Sequence, residues 1–194
     1  MVQVLSAKKD SYGEKPSEQP VIETTFTHCL SNSSFLKQYR DTWLAEGMHD
    51  AVGFYPREFY VLDNFSAFAI RYNGELYPTA EHLYQAQKFI NDHPEIAELI
   101  RTAPSPHEAK MLAGQNLKYR RPDWDELKLH IMEDILRAKL QQHAYCRKKL
   151  LETGDAPLVE DSPSDSFWGI GSDRKGENYL GKIWMLLRNE LRDE

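Results

Sequence analysis

The feature that most limits what this sequence can fold into is a change of period at Pro78. Upstream, Ala67 to Tyr77 (AFAIRYNGELY) alternates Phe68, Ile70 and Tyr72 against Ala69 and Arg71. It then reverses at Asn73-Gly74, two residues that tolerate the positive φ of a tight hairpin turn. Downstream, Leu83, Ala86 and Ile90 line one side of a helix that the spacing places from about Ala80 to Ile90, with Pro94 stopping the pattern. In SPHEAKMLAG, Ser105 stands as N-cap, Pro106 in the first turn, Glu108 as partner in a capping box and Gly114 as the exit. Asp123 with Glu126 opens one long or bent helix whose Trp124, Leu127, Ile131, Ile135 and Ala138 keep helical spacing toward Leu151 and Gly154. A last stripe, Leu180, Ile183, Trp184, Leu187 and Leu191, ends the chain. The fold class is therefore mainly α with a small β-hairpin (α+β), without internal repeats.

With 194 residues, 41% of them hydrophobic, the chain fills one sizeable core and is short for two. Residues 1–23 are polar, carry Pro16 and Pro20, and lack the apolar side chains that offset ordering entropy, so they read as a disordered tail. Residues 24–50 form a helical N-terminal extension, with Phe35, Tyr39 and Trp43 at four-residue spacing and Gly47 closing it. Residues 51–194 make the single compact domain. The net charge of −6 and the scatter of basic residues leave no electrostatic footprint for a long nucleic-acid duplex. Cys29 and Cys146 support neither a disulfide framework nor a zinc site, and no apolar run is long enough to cross a bilayer, so the chain reads as cytoplasmic.

Two segments carry chemistry. In PTAEHLYQAQKF, Glu81, Gln85 and Lys88 lie four and three residues apart and share one polar helix face opposite the apolar stripe. Thr79 as N-cap puts Glu81 in the first turn, where the helix dipole favours its ionised form. Acids are common there for dipole reasons alone, and such faces are usually solvated, so the trio proves nothing by itself; His82 reads as a packed or orienting histidine. The segment from Thr153 to Gly181 mixes acids, the pair Phe167-Trp168 and spaced glycines with little regular period, while Leu158 and Ile170 argue that it is ordered: a site loop. Gly169 and Gly171 could bring backbone amides to a phosphate, with Asn178 capping the final helix. The spacing is not a dinucleotide fingerprint, because Arg174 takes the third glycine position. Trp168 and Trp124 are candidates to sandwich a base, although tryptophan in a helical domain is usually core. No nucleophile elbow, HExxH or P-loop occurs, and the helical pairs His130–Asp134 and His143–Cys146 lack further metal ligands.

Taken in order, DNFSAFAI, YPTAEHLYQAQKF, SPHEAKMLA, RPDWDELKLHIM, AKLQQH, LLETGDAPLVEDSPSDSFWGIG and GENYLGKIWMLLR, over roughly residues 52–191, resemble the NADAR superfamily, the YbiA-like N-glycosidases. The resemblance implies a compact, mostly helical hydrolase. Its substrate would be nucleotide-like: a phosphorylated N-riboside of riboflavin synthesis, or ADP-ribose linked to guanine, including guanosine in a nucleic acid. It implies Glu81, Trp124, Asp165 and Trp168 at the pocket. Asn64 and Phe65 join them from the motif usually written SNF, in which Asp63 here replaces the serine. No cofactor and no metal are expected, and no membrane, since no apolar run is long enough to cross a bilayer; oligomeric state is not legible. Breaking a ribosyl C–N bond develops oxocarbenium character at C1′, so Glu81 is expected to stabilise or attack C1′ and Asp165 to position water or exchange protons. Lys88 offers a second route through a Schiff base at C1′. The alternative is a non-catalytic module sensing NAD or ADP-ribose derivatives; a purely structural protein ranks last.

Overall fold

A computed structural model describes residues 51–54 and 58–193. The expected tail (1–23) and helical extension (24–50) lie outside the described residues. The hairpin is present: β2 (Ile70–Tyr72) pairs antiparallel with β3 (Glu75–Tyr77), Ile70 opposite Tyr77 and Tyr72 opposite Glu75. Asn73 and Gly74 turn it with φ of 50° and 87°, the left-handed pair that a two-residue hairpin loop needs. Preceding it is the two-residue β1 (Val52–Gly53), which pairs in parallel with β4 (Leu158–Val159) far along the chain.

The helices are α1 (Ala80–Ala86), α2 (Pro94–Arg101), α3 (Pro106–Gln115), α4 (Trp124–Gln142), α5 (Ala144–Glu152) and α6 (Tyr179–Asp193). Helix α1 sits at the centre, packed on α2, α3, α4 and β3, and all seven of its residues are buried. The one-sided burial expected of an amphipathic helix is therefore wrong here: its polar face, like its apolar one, turns inward. It also stops sooner than expected. Past Ala86, Lys88 and Phe89 donate to carbonyls three residues back, Gln85 and Ala86, tightening the last turn. Pro94 then opens α2 at its first position, where the missing N–H costs nothing, rather than merely ending α1.

Four further expectations are corrected. The Ser105 hydroxyl caps α3 by accepting from the Glu108 N–H (3.2 Å), but the Glu108 carboxylate does not complete the box, leaving its Oε2 buried without a partner. The exit is Asn116, not Gly114. Asp123 takes Arg121 in a two-bond ion pair instead of capping α4. The long helix is two, broken at His143 (φ −129°, ψ 96°), whose ring bonds the Ala69 carbonyl at 2.7 Å and ties the break to the start of the hairpin. Helix α6 is buried without interruption from Leu180 to Arg188, and Trp184 Nε1 donates to the Leu62 carbonyl (2.9 Å), joining the last helix to the loop that forms one wall of the site.

Candidate functional site

Three segments meet at a cavity of about 260 Å³: the loop after the short helical turn Tyr60–Leu62, helix α1, and the irregular segment between β4 and α6. The first is held from beneath by Lys139 of α4, fully buried, whose Nζ donates to the Asp63 carbonyl (3.0 Å) and the Ser66 hydroxyl (2.8 Å). Asp63, the residue in place of the motif's serine, accepts the Phe65 N–H (2.8 Å), the local bond that an aspartate makes well in such turns. The loop is joined to α1 by the Glu81 N–H donating to the Asn64 carbonyl (3.0 Å). Thr79 caps α1, and its hydroxyl lies 2.8 Å from His82 Nδ1 while His82 Nε2 faces the Ala103 carbonyl at 3.1 Å. A carbonyl only accepts, so Nε2 carries the proton and Nδ1 accepts from Thr79. Burial holds His82 below its usual pKa, as this neutral tautomer requires. His82 thus orients the cap and stands apart from the cavity.

On the cavity wall the trio from α1 and the turn that follows it forms a relay. Glu81 Oε1 accepts from Gln85 Nε2 (2.8 Å), and Gln85 Oε1 accepts from Lys88 Nζ (2.6 Å). Lysine can only donate, so the amide orientation follows: its oxygen toward the amine, its NH₂ toward the carboxylate. Glu81 is 6% exposed, and burial raises its pKa against the opposing pull of Gln85 and of the nearby lysines. Burial lowers Lys88 to about 8, with its Nζ 5.3 Å from the centres of both the Tyr84 and Trp124 rings. Asp165 lines the same cavity from the segment between β4 and α6; its Oδ1 accepts the Phe167 (3.0 Å) and Trp168 (2.7 Å) N–H groups, leaving Oδ2 for substrate or water.

Asn64, Phe65, Glu81, Gln85, Lys88, Asp165 and Trp168 all line this one cavity. Trp124 does not. It is 3% exposed and packs on Tyr84 (5.0 Å), which meets Trp168 edge-on from the other side (5.4 Å), so the two tryptophans do not sandwich a ring; Tyr84 occupies the space between them. The cradle expected of Gly169 and Gly171 is not open at Gly171, whose amide donates to the Asp165 carbonyl, as that of Gly176 does to the Ile170 carbonyl. Asn178 does not cap α6 with its side chain but braces β4, donating to the Leu158 carbonyl (2.9 Å) and accepting the Glu160 N–H (3.0 Å).

Sequence reasoning missed Glu160, Lys110 and Tyr84, which also line the cavity. Glu160 had a signal: it follows the apolar pair Leu158-Val159 directly and so stands at the carboxyl end of a buried parallel strand, where ligand-facing residues gather. Burial, followed by the charges of Asp63, Asp165 and Glu81, pushes its carboxyl up to about 8. Asp63 is raised as well, chiefly by burial. Among the described residues no three His, Cys, Asp or Glu side chains are grouped to hold a metal ion, and no helix is long and apolar enough to cross a membrane.

A small α+β domain whose part-open cavity gathers carboxylates and a depressed lysine carries the kind of site at which acid–base chemistry is done. The NADAR domain family model matches residues 45–192, and the chain belongs to that family. It is 44% identical over 131 residues to N-glycosidase Npun_R5314 of Nostoc punctiforme, covering 67% of this chain and 84% of that protein. With N-glycosidase YbiA of Escherichia coli it shares 41% identity over 128 residues, 66% of this chain and 79% of the relative. The riboflavin biosynthesis protein VVA0006 of Vibrio vulnificus is 38% identical over 132 residues, which span 68% of this chain but 35% of that longer protein. The NMR structure of E. coli YbiA superposes with a TM-score of 0.67 at 38% identity, covering 76% of this chain and 88% of YbiA, and so shares the α+β fold.

Proposed function

We propose that this N-glycosidase hydrolyses the ribosyl C1′–N bond of a phosphorylated N-riboside, an intermediate of the kind formed in riboflavin synthesis. The observation that carries the reading is the Glu81–Gln85–Lys88 relay on the wall of a cavity that Asp165 also lines. At about 260 Å³ the enclosed space is below the usual ligand-pocket range of about 300–1,000 Å³, so it takes the ribose and leaves the base and phosphate toward the mouth. There the exposed Lys110 supplies a cation for the phosphate, and Trp168, Tyr84 and Phe65 supply aromatic surface for the base. As the C–N bond lengthens, C1′ gains positive charge. Glu81, aligned by Gln85 in a poorly solvated wall, stabilises or captures it, and Asp165 orients the water that replaces the base. The N-glycosidase names of the Nostoc and E. coli relatives support the bond broken, and the riboflavin biosynthesis name of the Vibrio relative supports the substrate class. ADP-ribose linked to guanine presents the same C1′ and is the other candidate. Cys146, a buried free thiol, accords with a cytoplasmic setting.

One observation favours a second route. With Lys88 lowered to about 8, about one molecule in ten carries the neutral amine at pH 7, enough for attack on an opened ribose and formation of a Schiff base. The two substrates, a ribosylaminopyrimidine phosphate and ADP-ribosylated guanosine, are to be supplied in parallel and the free base followed by mass-resolved chromatography, with borohydride added in a second set. Release from the first substrate alone is expected. Release from the second alone reassigns the substrate, and a reduced ribosyl adduct on Lys88 selects the amine route over direct attack by water.

A further inference from the structure

The carboxylates of the cavity are not equivalent. Glu81 has Gln85, Asp63 has the Phe65 N–H, and Asp165 has two N–H groups. Glu160, in contrast, is 6% exposed and lines the cavity with Oε2 fully buried and without a hydrogen-bond partner. Its backbone is fixed on both sides: the N–H donates to Asn178 Oδ1 (3.0 Å) and the carbonyl accepts from Ile170 N–H (3.1 Å). Gly169 makes room for it, since a Cβ there would stand 2.6 Å from the Glu160 carbonyl oxygen and 3.0 Å from its Cγ. The charges that face it are Asp63 from the first loop, Glu81 from α1 and Asp165 from its own segment, with Lys110 of α3 opposing them. A buried carboxyl without a partner is held more easily neutral than charged, and its place in the cavity lining puts Glu160 beside whatever binds there.

We propose that Glu160 is the general acid of the reaction, handing its carboxyl proton to the departing nitrogen as the C1′–N bond breaks. The inference rests on the N-riboside reading above and divides its labour: Glu81 serves C1′, Asp165 serves the water and Glu160 serves the leaving group. The bonding pair of the C1′–N bond goes to nitrogen, which takes the Glu160 proton. Water adds its oxygen to C1′, and the proton it sheds returns to the Glu160 carboxylate. The sum is water added across the bond, with every residue restored. An amine is a poor leaving group unless protonated, so the acid must be protonated at working pH. Burial and three like charges hold Glu160 in that state until about pH 8.

The test compares wild type, Glu160→Gln and Glu160→Asp on the ribosylaminopyrimidine phosphate from pH 6 to 9.5, with thermal melting of each. Expected are a wild-type kcat/KM that falls above about pH 8, and a Glu160→Gln variant slower by about 10²–10⁴-fold with that alkaline limb gone. Glu160→Asp is expected to recover part of the rate and the limb. A flat wild-type profile through pH 9.5, or a Glu160→Gln protein with the wild-type rate or the wild-type limb, overturns the assignment; the flat profile does so without any variant. A wild-type protein that releases no base from this substrate at any pH overturns the substrate reading instead.

Discussion

Replacing Gly169 by alanine places one methyl group where the backbone has closed in. The added Cβ would meet the Glu160 carbonyl oxygen at 2.6 Å, and the Asp165 carbonyl oxygen and Glu160 Cγ at 3.0 Å each. Two of the three are backbone atoms, and the Glu160 carbonyl is already bonded to the Ile170 N–H, so no side chain can swing aside to absorb the overlap. Regaining even a tight contact moves that carbonyl by roughly half an ångström. Overpacking of this kind costs about 1–3 kcal/mol. At about 2–4 °C per kcal/mol for a domain of this size, melting falls by roughly 2–12 °C. The displaced atoms belong to Glu160 and Asp165, and a misplacement approaching 1 Å costs about 10²-fold in rate. kcat/KM at 25 °C, where both proteins are folded, should therefore drop by about ten- to a hundredfold. Gly114→Ala is the control. No heavy atom outside its own helix lies within 4 Å of the new Cβ, and alanine in a helix gains up to about 0.5–1 kcal/mol over glycine, so melting should hold or rise with activity unchanged. A Gly169→Ala protein that matches wild type in melting and in rate refutes the packing account.

Two other perturbations test the scaffold. Lys139, normally near 10.5 and lowered to about 8 by burial, binds its proton less tightly in the folded state than in the unfolded one, a cost of about 3 kcal/mol that is fully present below pH 8 and is relieved as pH rises toward 10.5. Denaturant unfolding of wild type and Lys139→Met at pH 7 and 10 should show wild type gaining relative to the variant at the higher pH; a constant difference contradicts the shift. Arg137 pairs Glu133 (2.7 Å) and Glu190 across α4 and α6, and Glu133 is 6% exposed. Arg137→Met strands that carboxylate at about 1–3 kcal/mol, and Glu133→Gln in the same chain should return part of the lost melting temperature.

Local chemistry made much of this fold legible. The hairpin, the Ser105 cap and the last helix each follow from a few adjacent residues, and the structure carries all three. What failed depended on tertiary context. Helix α1 reads as half solvated because its sequence alternates faces, yet four neighbouring elements cover it, and the polar face becomes the wall of a cavity. Asp123 has the right spacing for a cap and a nearer, stronger partner in Arg121. The break at His143 is set by a bond to Ala69, 74 residues away in sequence, and the parallel pair β1–β4 joins segments more than 100 residues apart; neither leaves a local trace. For the site, helical spacing grouped Glu81, Gln85 and Lys88, and motif resemblance added Asn64, Phe65, Asp165 and Trp168, all of which line the cavity, but it also assigned Trp124 to ligand when its ring packs on Tyr84. Glu160 was passed over because a lone acid in an acid-rich loop looks solvated until the strand before it is seen to be buried.

Glu81, on the cavity wall, is the residue proposed to act on C1′. Glutamine at 81 keeps an oxygen to accept the Gln85 bond and removes a buried charge, so the fold should be as stable as wild type or more so. The measurement is single-turnover release of free base from the ribosylaminopyrimidine phosphate by wild type and Glu81→Gln, with melting curves alongside. Action of Glu81 on C1′ predicts a loss of at least about 10²-fold at undiminished melting temperature. A Glu81→Gln protein that releases base at the wild-type rate contradicts it.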